Sequence, residues 1–375
     1  MSLAKAHFLT RVLLAMLALA GVGHVLAAGP LQDNAVAKLD LYGDPLPPRA
    51  LVRLGTVRFR HGTLGANFLP DSKTVVAATQ SNSIHFWDAR SGRLVKAIDT
   101  GPLTINQHCV LSGNRKRIAV SGWLAEAQGG GRQVIRVFDT ASGKEVRTFD
   151  RESRDGVGAL ALTTDGDLLL SIGTSGALRI EEIASGVELL RQQFPGDVMA
   201  HMALSPDGKT VALGSGPNSR KLFLWKWQSG DEPRELPGPE RPGQSLAFSP
   251  DGKILAEAGD IDPTVRLWDV DRGQILYRLE APDHEYYRHY LAFSSDGKTL
   301  ACAGLDNEGG GVHLWDTKSG KLQKQLPLRA GALAFSPDGQ LLAVGRRVWD
   351  FAAGKEISVN EAAHTQDFFP RTCRR

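Results

Sequence analysis

The stretch HLWDTKSGKLQKQL, residues 313–326, recurs with small changes along this chain of 375 residues. Each copy has an alternating apolar and polar run, an Asp-x-x-x-Gly turn and a second run, a pattern typical of two strands joined by a tight turn. Clear copies are HFWDARSGRLVKAI (85–98), RVFDTASGKEVRTF (136–149) and RLWDVDRGQILYRL (266–279). The turn glycine marks seven units of about forty residues, at Gly92, Gly143, Gly186, Gly230, Gly273, Gly320 and Gly354.

A second recurring stretch precedes the first in each unit, as in LAFSPDGKIL (246–255) and LAFSPDGQLL (333–342). Its Ser-Pro-Asp-Gly centre predicts another tight turn, because proline presets φ and glycine accepts a positive φ. One unit therefore predicts four short antiparallel strands. Seven such sheets cannot each bury both faces alone, but arranged radially every sheet covers its neighbour, which is the architecture of a β-propeller.

The dipeptides at the centre of the first stretch resemble those of the WD-repeat (WD40) β-propeller family, and we assign the chain to its bacterial exported type. The resemblance implies an all-β fold, a seven-bladed β-propeller of four-stranded antiparallel blades. The Gly-His pair that the family places before the inner strand is missing, so we expect blades held mainly by packing. The matching dipeptides, two variants and one lost pair are Trp87-Asp88, Trp268-Asp269, Trp315-Asp316, Trp349-Asp350, Phe138-Asp139, Trp225-Lys226 and Glu181-Glu182.

The ring of blades needs one strand to complete the last blade. Residues 55–62, GTVRFRHG, alternate in polarity and precede the first inner strand. We expect this N-terminal strand to close the ring, as the family resemblance implies, while residues 356–360 at the C-terminal side remain the alternative. The predicted organisation is a signal peptide (1–27), an extended lead-in (28–54), the propeller (55–360) and a C-terminal tail (361–375).

The N-terminal segment has the pattern of a secretory signal peptide. Lys5 and Arg11 precede an apolar run over residues 12–23, and small residues lead up to a cleavage position after Ala27. A membrane anchor is the alternative, but the run is shorter than the ~20 residues that span a bilayer. We therefore expect an exported protein, periplasmic or secreted, with no stable membrane anchor after cleavage.

Several kinds of chemistry find no support in the sequence. The net charge of +3 predicts no nucleic-acid partner, and the motifs for phosphate, dinucleotide and acyl-transfer sites are missing from the predicted mature chain. His284 and His289 are five residues apart, one more than a zinc-binding HExxH helix requires. The sequence therefore predicts no metal, no cofactor and no catalytic residue.

Three polar side chains align at one position of the inner strands: His108, His201 and Tyr290. Inner strands line the central channel of a propeller, so these residues are candidate channel-lining groups. Two interpretations are open, hydrogen bonding between blades and a polar site in the channel.

The irregular segments all fall on one predicted face of the propeller. The first and third turns of each blade are short, whereas the second turns and the crossovers between blades vary, as in residues 122–132 of blade two. Function on a repeat scaffold is expected on such loops, and exposed aromatic side chains among charged ones are typical of protein-binding surfaces. The candidate protein-binding residues are Trp123, Asp260, Asp262, Asp283, His284, Glu285, Tyr286, Tyr287, Asp306 and Glu308.

These patterns predict a non-catalytic exported scaffold that binds an unidentified protein or peptide through the loops of one propeller face. The alternative is a propeller enzyme, a lactonase, hydrolase or quinoprotein-like dehydrogenase, with its site at the central channel. Such an enzyme needs acids, histidines or arginines from several blades. The aligned channel position offers two histidines and a tyrosine and no carboxylate.

Overall fold

Short β-strands arranged in seven four-stranded sheets make up the computed structural model. The chain divides into two units, Met1–Arg53 and Leu54–Arg375, and every described residue belongs to the second. The predicted segments 1–27, 28–54 and 361–375 lie outside the described residues. The structure describes residues 63–79, 82–125, 131–151, 155–194, 199–215, 221–236, 243–259, 264–280, 287–305, 311–328, 332–345 and 347–357.

Each sheet takes four consecutive strands and forms one blade. Blades one to four contain β1 Thr63–Phe68, β2 Thr74–Thr79, β3 Ser83–Asp88, β4 Leu94–Asp99; β5 Leu103–Leu111, β6 Arg117–Ala125, β7 Gly131–Asp139, β8 Glu145–Arg151; β9 Val157–Leu162, β10 Leu168–Gly173, β11 Ala177–Glu182, β12 Glu188–Gln193; and β13 Met199–Leu204, β14 Thr210–Ser215, β15 Leu222–Lys226, β16 Arg234–Leu236. Blades five to seven contain β17 Gly243–Phe248, β18 Ile254–Gly259, β19 Thr264–Asp269, β20 Gln274–Glu280; β21 Tyr287–Phe293, β22 Thr299–Leu305, β23 Gly311–Asp316, β24 Leu322–Leu326; and β25 Leu333–Phe335, β26 Leu341–Val344, β27 Arg347–Asp350, β28 Lys355–Glu356.

The first strands of the blades form a closed ring. Each inner strand contacts the inner strand of the next blade, from β1 to β5 and onward to β21 and β25, and β25 contacts β1 again. Successive strands within a blade pair antiparallel. The predicted fold class, an all-β seven-bladed propeller of four-stranded antiparallel blades, is confirmed.

The core consists of apolar clusters between adjacent blades, one at each of the seven junctions in the described part of the chain. The recurring tryptophan lies in the cluster that its blade shares with the preceding one: Trp268 packs with Leu222 and Leu236 of blade four, and Trp87 with Leu341 of blade seven. Burying a side chain of this size contributes several kcal/mol. The repeated dipeptide thus marks the residue that joins one blade to the next.

The buried tryptophans of this core differ in whether their indole N–H groups have a hydrogen-bond partner. Trp268 donates its indole N–H to the Glu257 carboxylate at 2.8 Å, whereas the indole nitrogen of Trp349 is buried with no hydrogen-bond partner among the described residues. The junctions accordingly do not share one repeated polar network, and apolar packing is the contact common to all of them.

The last blade is completed from the C-terminal side in the described part of the chain. After the turn that follows Asp350, residues Lys355–Glu356 form β28 and pair with β27, with Trp349 opposite Glu356. Here the structure differs from the expected N-terminal strand, because the chain reverses directly after β27 and its own continuation fills the position. Residues 55–62, to which the expectation assigned the strand, lie outside the described residues.

The first and third turns of every blade form one side of the ring, which we call the short-turn face. In the first turn a serine hydroxyl donates to the aspartate two residues later, as from Ser205 to Asp207 at 2.5 Å. In the third turn an aspartate accepts from the backbone N–H and the hydroxyl of a serine, as Asp316 does from Ser319 at 2.7 Å. The second turns and the crossovers form the opposite side, the loop face.

Among the described residues, four fourth-strand side chains reach from their own blade to the third turn of the next, and we call them the interblade donors. Lys96 donates to the Ala141 carbonyl at 2.6 Å, and Tyr277 donates to the Lys318 carbonyl at 2.5 Å. Glycine in the receiving turn leaves room for them. At Gly320, where φ is +68°, an added Cβ would lie 2.7 Å from the Tyr277 ring. The interblade donors are Lys96, Arg147, Arg234 and Tyr277.

Candidate functional site

Blade two extends farther on the loop face than the other described blades. Its strands β5, β6 and β7 have nine residues each, whereas the corresponding strands elsewhere have three to seven. Three more residues at about 3.3 Å each add roughly 10 Å of sheet. The sequence assigned residues 122–132 to one irregular loop, but β6 continues to Ala125 because the lengthened β5 pairs with it, Leu103 opposite Leu124.

Trp123 lies on this extension with its side chain partly exposed. The residue is 40% exposed, between Thr104 of β5 and Gln133 of β7. Its indole lies over Gly131, where an added Cβ would overlap Nε1. A large aromatic surface held on paired strands, rather than on a mobile loop, loses little conformational entropy when a partner covers it.

The residues paired across the blade-two extension lead from Trp123 through Gln133 to the junction of blades two and three. Gln133 stands opposite Arg151 at the end of β8, and Arg151 crosses into blade three. Its guanidinium forms a buried ion pair with Glu181 and donates to the Ser171 hydroxyl at 2.9 Å. Burial lowers the pKa of Arg151, while the charge of Glu181 opposes that shift.

This ion pair explains the lost Trp-Asp dipeptide of blade three. Glu181 occupies the position of the recurring tryptophan and takes its cation from the neighbouring blade. Sequence reasoning noted the loss but did not find the partner, because Arg151 lies in another unit and has no counterpart in the repeat. A small cavity beside the pair is lined by Arg151, Asp155 and Arg179 among others.

The aligned position of the inner strands carries His108, His201 and Tyr290. Tyr290 is 38% exposed, and burial lowers the pKa of His201 to about 4, with a further lowering from His108. Burial also lowers the pKa of His108, although a hydrogen bond to the Val157 backbone opposes the shift. Both imidazoles are therefore neutral at pH 7.

The predicted loop cluster of blades five and six falls largely outside the described residues. Of Tyr287, which begins β21, only the backbone is described. The strand ends that carry these loops all lie on the loop face: Gly259 and Thr264 in blade five, and Leu305 and Gly311 in blade six. The predicted residues outside the described part are Asp260, Asp262, Asp283, His284, Glu285, Tyr286, Asp306 and Glu308.

Metal clusters, membrane-spanning helices and reactive thiols are three further features that could indicate function. Among the described residues, no three His, Cys, Asp or Glu side chains come together as a metal site would require. In the same part of the chain, no helix is long and apolar enough to cross a membrane. The thiols of Cys109 and Cys302 are buried, and burial raises the pKa of each to about 12, which leaves them unreactive.

Comparison with known proteins points to WD-repeat chains. The family model "Eukaryotic translation initiation factor eIF2A" matches residues 245–352. A "Periodic tryptophan protein 2 homolog" of Schizosaccharomyces pombe is 30% identical over 161 residues, 43% of this chain and 17% of that protein. "WD repeat-containing protein VIP3" of Arabidopsis thaliana is 28% identical over 138 residues, 33% of this chain and 42% of that one.

A third relative is "Small ribosomal subunit protein RACK1y" of Oryza sativa subsp. japonica, 28% identical over 160 residues, 39% of this chain and 45% of that protein. The similarities support the WD-repeat resemblance. This chain spans less than half the length of each of these three relatives.

Proposed function

We propose that this chain is a non-catalytic WD-repeat scaffold that binds a protein or peptide through the loop face of its propeller. The observation that carries the proposal is Trp123, a 40% exposed indole on the extended strands of blade two. Tryptophan is among the residues that most often dominate binding energy at interfaces. The name of one relative, a small ribosomal subunit protein, describes a component of a larger assembly, which is the setting a scaffold serves.

The non-catalytic part of the proposal is supported by the channel. At the aligned position the seven blades carry Gly65, His108, Ala159, His201, Ser245, Tyr290 and Ala332. General acid–base catalysis by two groups of different pKa has little basis there, because both histidines are neutral and no carboxylate stands among them. Turnover of ester or lactone substrates by the purified protein, abolished by His201→Gln, would contradict the proposal.

Replacing Trp123 tests the binding part. Protein carrying Trp123→Ala is used as bait in native extract beside the wild type and Leu276→Ala. Leu276 is a matched control, because it is 43% exposed but lies on β20 at the rim. We expect proteins retained by the wild type and by Leu276→Ala to be lost from Trp123→Ala, with affinity reduced about thirtyfold for a contact of roughly 2 kcal/mol.

The stability of the bait separates binding from folding. Because the Trp123 indole also packs over Gly131, Trp123→Ala should lower the free energy of unfolding by about 1 kcal/mol, and the urea midpoints must show that all three proteins are folded under the conditions of capture. Equal capture by Trp123→Ala and the wild type would remove the role of blade two. The double variant Tyr286→Ala, Tyr287→Ala then tests the predicted loops of blades five and six by the same capture measurement.

We also propose that residues 1–27 direct export and are removed. The support is the sequence pattern of the segment, positive residues before a short apolar run and small residues before position 28. Intact mass of the protein from its native cells should begin at Ala28, and the protein should fractionate outside the cytoplasm. A native mass that includes Met1 or Ser2 would contradict cleavage.

A further inference from the structure

Blade two rises above blade three on the loop face, and we call the step between them the notch. Strands β9, β10 and β11 of blade three have six residues each, three fewer than their counterparts in blade two. One cross-strand row of blade two consists of Thr104, Trp123, Gln133 and Arg151. Side chains paired in this way point to the same face of a sheet. Because Arg151 reaches into blade three, Trp123 also faces that side and forms the wall of the notch.

The base of this wall touches the loop-face end of blade three, which is the floor of the notch. A Cβ added at Gly156 would lie 3.5 Å from the side-chain oxygen of Gln133 and 3.3 Å from Cγ2 of Thr174. The Thr174 N–H donates to the Gly156 carbonyl at 2.7 Å, which holds the floor together. Trp123 is paired with Gln133, so their Cα atoms are about 5 Å apart. The wall and the floor therefore meet at the Gln133 side chain.

The floor carries a carboxylate directly beside this contact. Asp155 precedes Gly156 in the chain, and it is partly exposed. Its Oδ1 accepts a hydrogen bond from the Ser175 N–H at 2.8 Å. The carboxylate also lies against Gly173, where an added Cβ would overlap both of its oxygens. Asp155 is thus fixed in position by the second turn of blade three.

The charge of Asp155 is left without a counter-ion in the described part of the chain. Two arginines line the same small cavity as Asp155, but each has a carboxylate of its own. Arg151 pairs with Glu181, and Arg179 lies 3.9 Å from Glu188. Asp155 forms no ion pair with a residue that the structure describes. A cation from outside the chain would complete the pairing.

We propose that the notch takes a basic side chain, arginine or lysine, from the partner peptide. The aliphatic stem of that side chain lies along the Trp123 indole, and its cationic head reaches Asp155. Long basic side chains cover apolar surface with their stems, and tryptophan is the aromatic side chain that attracts a cation most strongly. This inference rests on the proposed function and deepens it by naming the chemistry of the partner.

Selection from a library of random synthetic heptapeptides tests the charge of the partner. Immobilised full-length wild-type protein should enrich arginine or lysine at one position and deplete aspartate and glutamate, and the enriched residue tells arginine from lysine. Asp155→Asn should lose this preference, because its amide oxygen can still accept from Ser175 but carries no charge. The peptide that the wild type retains best should bind Asp155→Asn about fivefold more weakly. Trp123→Ala should lose the same peptide.

Asp99→Asn is the matched control. Asp99 is an exposed acid at the crossover between blades one and two, and it accepts from the Gly101 N–H at 2.8 Å. The control should select the same peptides as the wild type, and thermal melts establish that every variant is folded. Selection of acidic or purely apolar peptides, or of none, would overturn the basic class of partner. Capture from native extract decides separately on the proposed function, because it depends on Trp123 whatever the charge of the partner.

Discussion

The short-turn face and the loop face differ in how their segments are held. On the short-turn face every turn lies in the described part of the chain, and a serine–aspartate or threonine–aspartate bond closes most of the first turns, as in Ser249–Asp251 and Thr163–Asp165. On the loop face the segments vary in length from blade to blade, and the extension of blade two carries an exposed tryptophan.

The difference shows where the repeat is constrained by folding. The turn residues that recur in the sequence, serine, aspartate and glycine, are those that satisfy their own turn and admit the interblade donor of the preceding blade. The loop face has no recurring residue of this kind in the described segments. Substitution on one face should therefore change stability, and substitution on the other should change binding.

The largest expected effect lies between the faces, at the junction of blades two and three. Glu181→Ala leaves Arg151 buried without a counter-ion, and breaking a buried pair in this way costs about 3–5 kcal/mol. We expect a correspondingly lower urea midpoint. The double variant Arg151→Met, Glu181→Leu should recover most of the loss, because apolar side chains of similar volume need no counter-ion. A loss below about 1 kcal/mol in the single variant would show that this junction is not structural.

An intermediate effect is expected at the glycines of the short-turn face. Gly320 and Gly230 occupy the same turn position in blades six and four, with φ of +68° and +77°, but an added Cβ meets the Tyr277 ring at 2.7 Å only at Gly320. Alanine at either position is strained by the left-handed backbone, at a cost of about 1–2 kcal/mol. Gly320→Ala should lose a further ~1–3 kcal/mol through overpacking.

The comparison between the two glycines isolates the interblade contact from backbone strain. In a Tyr277→Ala background the additional loss at Gly320 should disappear. Thermal or urea unfolding of the wild type, Gly320→Ala, Tyr277→Ala and the double variant measures this as a coupling energy. Equal losses at Gly230 and Gly320 would mean that the donors do not constrain the turn.

Much of the difference between the two faces could be predicted from the sequence, and the features that could not be predicted have physical causes. The repeats predicted the fold because each stretch encodes its own turn and strand pair locally. The replacement of tryptophan by Glu181 was visible, but its partner Arg151 lies in a different unit and becomes a neighbour only when the blades assemble. The strand that closes blade seven was ambiguous, because the segments at both ends of the propeller alternate in polarity.

The length of β6 could also not be predicted from the sequence. Residues 122–125 look irregular in isolation, since Gly122 interrupts the strand pattern. The glycine is required by packing: an added Cβ there would lie 2.5 Å from the Thr104 carbonyl oxygen. A residue that disfavours a strand locally thus permits the close pairing that lengthens it.

The smallest expected effect concerns the charge of single turn aspartates. The Ser205 hydroxyl is the main cause that lowers the pKa of Asp207 below its ordinary value, and serine hydroxyls do the same for the aspartates of blades five, six and seven. A carboxyl whose pKa is lower in the folded state stabilises the fold above the unfolded-state pKa near 4 and loses that contribution as the pH falls through the folded-state value.

Asp207→Asn should therefore lower the free energy of unfolding at pH 7 by less than about 1 kcal/mol, because the group is largely solvated. The difference from the wild type should shrink as the pH falls below the unfolded-state pKa and through the lower folded-state pKa, which urea unfolding at a series of acidic pH values measures. Combining the substitution at Asp207, Asp251, Asp296 and Asp338 should add the four effects, since the turns belong to separate blades. Ser205→Ala should remove most of the pH dependence of Asp207 while leaving the carboxylate in place. A difference that stayed constant with pH would mean that the asparagine acts through turn geometry, and the short-turn face would then owe its stability to backbone shape rather than to its charged hydrogen bonds.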